Sequence, residues 1–262
     1  MRNVVFALPG MKYFADGIAE ILGWEKMIGG YVGDCDTCLI VGMYDPPYYA
    51  TTLKMTQRAK RRIIQWCGTD VLNYQPDWGT LPFAEHIAES ESLHDELFAK
   101  GIESTTLTLP AFHHFPVTPL PEKKMVVCYL GNNPLAYGND MFASLGELMG
   151  EQADFIGYMH GQYDYKGMAE MCSDSSLYLR LTEHDGGCMS AREFLEAGRP
   201  VIASSKLPFA VQVRHDDIVG LVREVRKALA IKEPNLLAHE FYKRFNSNER
   251  YLAEMKGVLG DV

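Results

Sequence analysis

The sequence predicts an α/β chain carrying two doubly wound parallel sheets, one in each half. Three observations lead there. Short apolar runs alternate with helix-spaced runs, the pattern of successive βα units. A connector with Pro116, Pro119 and Pro121, "FHHFPVTPLPEKK", interrupts the alternation and reads as stiff and extended. Beyond it the alternation restarts, so the predicted domains are residues 1–118 and 119–262. Ligands of such sheets bind outside the carboxyl ends of the strands, and two facing sheets are expected to enclose a cleft.

In the first half, "NVVFAL" (3–8) reads as a buried strand stopped by Pro9-Gly10. Residues 11–24 have helical spacing, with Phe14, Ile18, Ile21 and Leu22 on one face. "TCLIVGMY" (37–44) reads as a strand, 48–61 as a helix, and "RIIQWCG" (62–68) as the third strand. "FAEHIAESESLHDELFAKG" supplies a short strand and a helix closed by Gly101, and 104–110 a further strand. In the second half, strands are predicted at 124–131, 153–159, 176–182 and 200–204, with helices at 140–151, 165–175 and 190–198. After residues 217–230, the end "PNLLAHEFYKRFNSNERYLAEMKGVL" is strongly helical.

Of the 262 residues, 47% are apolar, enough for one large core or two smaller ones. The net charge of -9 argues against general binding to nucleic acid or anionic membrane. One basic run, "QRAKRR" (57–62), reads as a solvated helix end or a polyanion contact. The apolar start "NVVFAL" is too short for a signal core, and no stretch approaches the roughly 18 apolar residues of a membrane span. The chain therefore reads as soluble and cytoplasmic, without an integral membrane segment. Cys35 and Cys38 form a lone C-x-x-C that leads into an apolar strand, with no second pair at zinc-like spacing; they read as buried reduced thiols.

The stretch "HDGGCMSAREFLEAGRPVIAS" (184–204) follows the strand "SLYLRLT" directly. Gly186 and Gly187 let the backbone approach a ligand, and the helix expected from Ser190 points its first amides at the same place, which suits a phosphate. "SARE" is equally a capping box, in which Glu193 reaches back to the amide of Ser190. Both readings of Glu193 stand at this level. There is no clear D-x-D beside a strand end, so no metal is expected.

The whole string resembles the nucleotide-sugar signature of retaining GT-B glycosyltransferases of family 4 (glycosyl transferases group 1), in a short form. Asp185, Gly186, Glu193, Gly198, Pro200, Val201 and Ile202 match at unshifted spacing. "FIGYM…YKGMAEMCSDSSLYLRLTE", "IIQWCGTDVL" and "LHDELFAKGI…LTLP" are similar to the runs that surround the signature, so the likeness covers most of the chain. The resemblance implies two Rossmann-like domains, the terminal helices packing back toward the first. It implies transfer of a sugar from a nucleoside-diphosphate sugar, most simply a UDP-sugar, to a hydroxyl acceptor with retention and without a cofactor. Glu193 would bind the ribose and Asp185 lie beside the transferred sugar. Backbone around Gly187, Cys188, Met189 and Ser190, with Gly10, would complete the donor site. Asp70, Gln65, Trp66 and His113 are the acceptor-side candidates, Asp70 with a catalytic role. The acceptor is open: a glycan, a lipid-linked group, a protein or modified nucleic acid.

The stretch "LGNNPLAYGND" lacks the Arg and Lys that members of the family place after this strand. Arg180 is the first candidate for the missing diphosphate cation, with Arg192, Lys166 and Lys12 next. Two other readings are a nucleotide-sugar epimerase using His113, His160 and His184, and a non-catalytic nucleotide-binding module.

Overall fold

The structure, a computed structural model, describes residues 1–44, 46–73, 84–131 and 133–260. The chain packs as two compact units, Met1–Leu109 with Asn248–Val262, and Pro110–Ser247. Among the described residues, no helix is long and apolar enough to cross a membrane.

Unit 1 starts with β1 (Asn3–Ala7), whose β-branched and aromatic run is wholly buried from Val4 onward. α1 (Lys12–Leu22) turns Ala15, Ile18 and Ala19 inward. Then follow β2 (Glu25–Ile28), β3 (Cys35–Val41), α2 (Pro46–Met55), β4 (Ala59–Trp66), the single turn α3 (Asp70–Asn73), β5 (Glu85–Ala88), α4 (Glu91–Ala99) and β6 (Thr105–Thr106). The strands pair in parallel in the order β2-β1-β3-β4-β5-β6. The order reverses between β1 and β3, the place where open parallel sheets bind ligands.

Two expectations fail here for one reason. The helix predicted over 48–61 ends at Met55, and β4 begins at Ala59, inside the basic run. Residues there are set by cross-strand charge pairs: Arg58 with Asp34 at 2.8 Å, Lys60 with Asp36 at 2.7 Å, and Arg61 with Glu85 at 2.5 Å. "QRAKRR" is thus largely a neutralised ladder along the amino edge of the sheet. β2, "EKMI", escapes sequence reading because it is a half-exposed edge strand rich in charge.

Unit 2 contains β7 (Met125–Gly131), α5 (Asn139–Met149), β8 (Asp154–Met159), α6 (Tyr165–Asp174), β9 (Leu177–Arg180), α7 (Met189–Glu196), β10 (Val201–Ala203), β11 (Val211–Gln212), α8 (Ile218–Leu229) and α9 (Leu236–Phe245). Its parallel order is β11-β10-β9-β7-β8, so the reversal lies between β7 and β9. Alternation along the strands divides two cores. Val126, Cys128, Leu177 and Leu179 pack with residues of α5 and α8. Val127, Tyr178 and Ala203 pack with α6, α7 and α9.

The fully buried Arg199 donates from Nε to the Cys172 carbonyl at 2.9 Å and from Nη1 to the Thr118 carbonyl at 3.0 Å. These bonds hold the proline-rich connector against α6, and the connector belongs to unit 2. The last helix, α10 (Asn248–Leu259), belongs to unit 1. Arg61 of β4 donates to its final carbonyls, Val258 at 2.9 Å and Leu259 at 2.6 Å, while Tyr251 and Met255 are buried. All six cysteines are free, and burial raises the Cys38 thiol to about 12, so the C-x-x-C is a pair of inert core thiols.

Candidate functional site

At the carboxyl edge of the unit 2 sheet, the loops after β7 and β9 flank the reversal point. Thr182 Oγ1 ties them, its single proton shared between the carbonyls of His184 at 2.7 Å and Ala136 at 3.1 Å. Two glycines allow the close approach. A Cβ on Gly131 would lie 2.4 Å from the Tyr137 ring, and one on Gly138 would lie 2.3 Å from the Leu181 carbonyl oxygen, both at positive φ.

β9 and β7 pair with Leu179 opposite Cys128, so the next residues, Arg180 and Tyr129, are neighbours on the α7 side of the sheet. The Arg180 guanidinium lies against an edge-to-face pair of rings whose centroids are 5.2 Å apart, 4.9 Å from that of Tyr129 and 4.8 Å from that of Tyr137. It donates to both carboxylate oxygens of Asp185, Nε to Oδ2 at 2.5 Å and Nη2 to Oδ1 at 3.0 Å. The Cys188 thiol donates to the same Oδ2 at 2.9 Å. Burial opposes the charge on both partners, but each outweighs it for the other: Arg180 stays protonated, and the Asp185 pKa is lowered. Arg180, the first candidate for the diphosphate cation, is therefore enclosed and already neutralised, with 7% of its surface exposed.

α7 begins at Met189, one residue earlier than expected, with Cys188 as N-cap at φ 47° and no side-chain cap on its amides. The capping-box geometry is absent. Ser190 lies inside the first turn, where its Oγ shares a hydrogen bond with the Tyr178 hydroxyl at 2.6 Å. Glu193 is 4% exposed, and its Oε1 has no hydrogen-bond partner. Burial first, then the neighbouring Glu196, raises the Glu193 pKa to about 8 against the opposing effects of Arg192, His113 and His114. His113 Nδ1 stands 3.7 Å from that Oε1. The His113 pKa is lowered by burial and by His114, so the two face each other as neutral groups rather than as an ion pair. His113 also packs on Tyr165, ring centroids 5.0 Å apart. It was expected on the acceptor side and instead lies against the helix of the signature.

Other expectations change as well. Gly187 contributes its carbonyl, which accepts from Arg192 Nε at 2.6 Å; Gly186 is partly buried beside it. Arg192 turns into the core, with Nη1 on Asn246 Oδ1 at 3.1 Å, and is not offered to a ligand. Lys166 is exposed and faces Glu170 at 3.8 Å, and Lys12 holds Asp16 at 2.5 Å. His160 is exposed, its Nδ1 3.4 Å from the Tyr129 hydroxyl, and His184 is partly buried in the loop after β9. In unit 1, Gly10 is an exposed part of the turn Pro9–Met11. Asp70 is fully buried and accepts from the amides of Met43, Cys67, Gly68 and Val71. Burial raises its pKa against those four amides, and the carboxylate fixes the loops beyond β3 and β4 rather than facing an acceptor. Gln65 and Trp66 are core residues of β4: Gln65 Nε2 donates to the Leu107 carbonyl at 3.2 Å and Trp66 Nε1 to His86 Nδ1 at 3.1 Å. Sequence reading missed the Tyr129–Tyr137 pair; strand alternation would have put Tyr129 on the Arg180 face only once the β7–β9 register was known. Among the described residues, no three His, Cys, Asp or Glu side chains form a metal-binding group.

The sequence matches no protein-family model and no curated protein sequence. Its fold is similar to an α,α-trehalose-phosphate synthase (UDP-forming) from Burkholderia xenovorans, with a TM-score of 0.71 at 10% identity over 99% of this chain and 100% of that one. The lipopolysaccharide outer core galactosyltransferase WaaB in its apo form gives 0.66 at 11% identity over 99% and 100%. Two structures of TarM, one of them a point mutant of the S. aureus protein with UDP bound, give 0.58 and 0.61 at 12% identity. This chain covers 55% of the length of each TarM chain, and 86% of this chain is matched. These likenesses establish the fold: two Rossmann-like units of the kind found in GT-B glycosyltransferases.

Proposed function

We propose that the chain transfers a sugar from a nucleoside-diphosphate sugar, a UDP-sugar first of all, to a hydroxyl acceptor, with retention and without a metal. The observation that carries the reading is Glu193: an acid at signature spacing from Asp185, nearly enclosed, with one carboxyl oxygen lacking any hydrogen-bond partner. A buried polar atom left unpaired costs about 1–3 kcal/mol, and a ribose diol would supply the missing donor. The uncapped amides at the start of α7 favour the negative charge that develops on a leaving diphosphate. Asp185, clamped by Arg180, acts as a fixed hydrogen-bond acceptor for sugar hydroxyls rather than as a mobile base. The solved structures of similar fold include proteins bound to UDP, which supports a UDP-sugar as the first donor to try.

A thermal-shift screen of nucleotide sugars tests this, since a ligand at 100 times its Kd stabilises by roughly 3 kcal/mol. The expected outcome is a shift with one donor that Glu193→Ala weakens by about 1.5–3 kcal/mol in binding. Incubation of that donor with the protein should release free nucleoside diphosphate, whereas an epimerised donor would point to an epimerase. Unchanged donor affinity in Glu193→Ala would remove Glu193 from the site.

A further inference from the structure

A donor diphosphate brings about two negative charges, and an uncapped helix end offers the equivalent of about half a positive one. Of the four cations named from sequence, Arg180 is buried on Asp185 and Arg192 on Gly187 and Asn246, while Lys166 and Lys12 are exposed, Lys166 3.8 Å from Glu170 and Lys12 on Asp16. The loops beyond the carboxyl ends of β7 and β9 contain no Lys or Arg, and Arg214, after β11, is held by Asp216 at 2.7 Å. Lys206, in the loop after β10, is exposed and has no ion pair among the described residues.

Its loop continues the pairing of β10 with β9: the Ser204 amide donates to the Arg180 carbonyl at 2.9 Å, and the Ser205 hydroxyl faces the thiol of Cys188, the N-cap of α7. Lys206 is thus one residue from a side chain in contact with the uncapped helix start. Within that helix Glu193 is nine-tenths buried with Oε1 unpartnered, and Ser204 Oγ is likewise buried without a partner. Glu193 Oε1 lacks a donor, and the first amides of α7 lack a side-chain acceptor. A nucleoside diphosphate carries both.

We infer that Lys206 is the side-chain cation for the diphosphate, working with the first amides of α7. This rests on the nucleotide-sugar reading above. The side chain has four rotatable bonds and approaches as a point charge, which suits a phosphate whose position is fixed by backbone amides.

Calorimetry on the full chain with UDP, GDP and ADP, and with the matching nucleosides, tests the assignment. Lys206→Ala should weaken the tightest-binding nucleoside diphosphate about tenfold or more, leave its nucleoside unchanged, and flatten the salt dependence of binding. Lys206→Arg should restore the affinity. Because Lys206 is exposed, the melting temperature of Lys206→Ala should equal that of the parent. Parent-like diphosphate affinity in Lys206→Ala, with the affinity lost in Glu193→Ala, would overturn Lys206 and leave the donor reading standing. An equal loss for diphosphate and nucleoside would also overturn it. If the parent chain binds none of the three diphosphates, the donor reading falls and Lys206 with it.

Discussion

Glu193 and Asp185 are eight positions apart in one motif and live under opposite electrostatics. Asp185 is paired with Arg180 and stays ionised, while Glu193 is buried without a matching charge and keeps its proton to about pH 8. The sign of the consequence follows from proton counting. An unfolded Glu ionises near its ordinary value of 4.5, so between 4.5 and about 8 the unfolded chain binds fewer protons at this position than the folded one. Stability from Glu193 is present below 4.5 and is lost as the pH rises toward 8. Urea denaturation across that window should show a falling stability in the parent and a flatter profile in Glu193→Gln; parallel profiles would contradict it. The position of Glu193 was legible in the sequence, as was that of Asp185. The fate of Arg180 was not, because a strand residue's partners depend on which strand lies beside it.

At the scale of elements, the loops after β7 and β9 set the surroundings of Arg180 and Asp185 in unit 2. The loop after β7 has no charge to offer, yet it places Tyr137 on one side of Arg180 and accepts Thr182 through Ala136. Gly138 is the tightest point, since an added methyl would strike the Leu181 backbone oxygen at 2.3 Å in a left-handed conformation. Gly138→Ala should therefore cost at least about 1–2 kcal/mol from the backbone alone, with the collision adding to it. Gly146→Ala is the matched control. That glycine is inside α5, where an added methyl meets Phe155 at an ordinary 3.7 Å, and helix propensity should make the change neutral or stabilising by up to about 1 kcal/mol. Chemical denaturation of both variants decides it, and equal effects would show that the loop has room to move.

At the scale of the molecule, each unit closes its own sheet, and the chain ends by completing the first. Deleting residues 248–262 removes the buried side chains of Tyr251 and Met255, worth roughly 1.5–3 kcal/mol each, and uncovers Arg61 of β4. Hydrogen exchange should then quicken in α1 and β4 of unit 1, while β7, β9 and β10 of unit 2 keep their protection. Unchanged exchange throughout would mean that α10 contributes nothing to unit 1.

By itself the sequence determined the two parallel sheets, through alternation of apolar strands with helix-spaced runs, and the position of residues 184–204 beyond the strand that ends at Arg180. These are local properties: periodicity, stop residues and spacing act along the chain. Which charges remain available was decided only by the tertiary structure. Strand register set Arg180 beside Tyr129, chain reversal set Asp185 against Arg180, and packing of the connector set His113 against Glu193. Asp70, Gln65 and Trp66 were expected on the acceptor side from the resemblance of "IIQWCGTDVL", and burial makes them parts of the framework. A charge or hydrogen-bonding group takes its role from what lies within a few ångströms of it, and in a parallel sheet those neighbours come from segments far away in sequence.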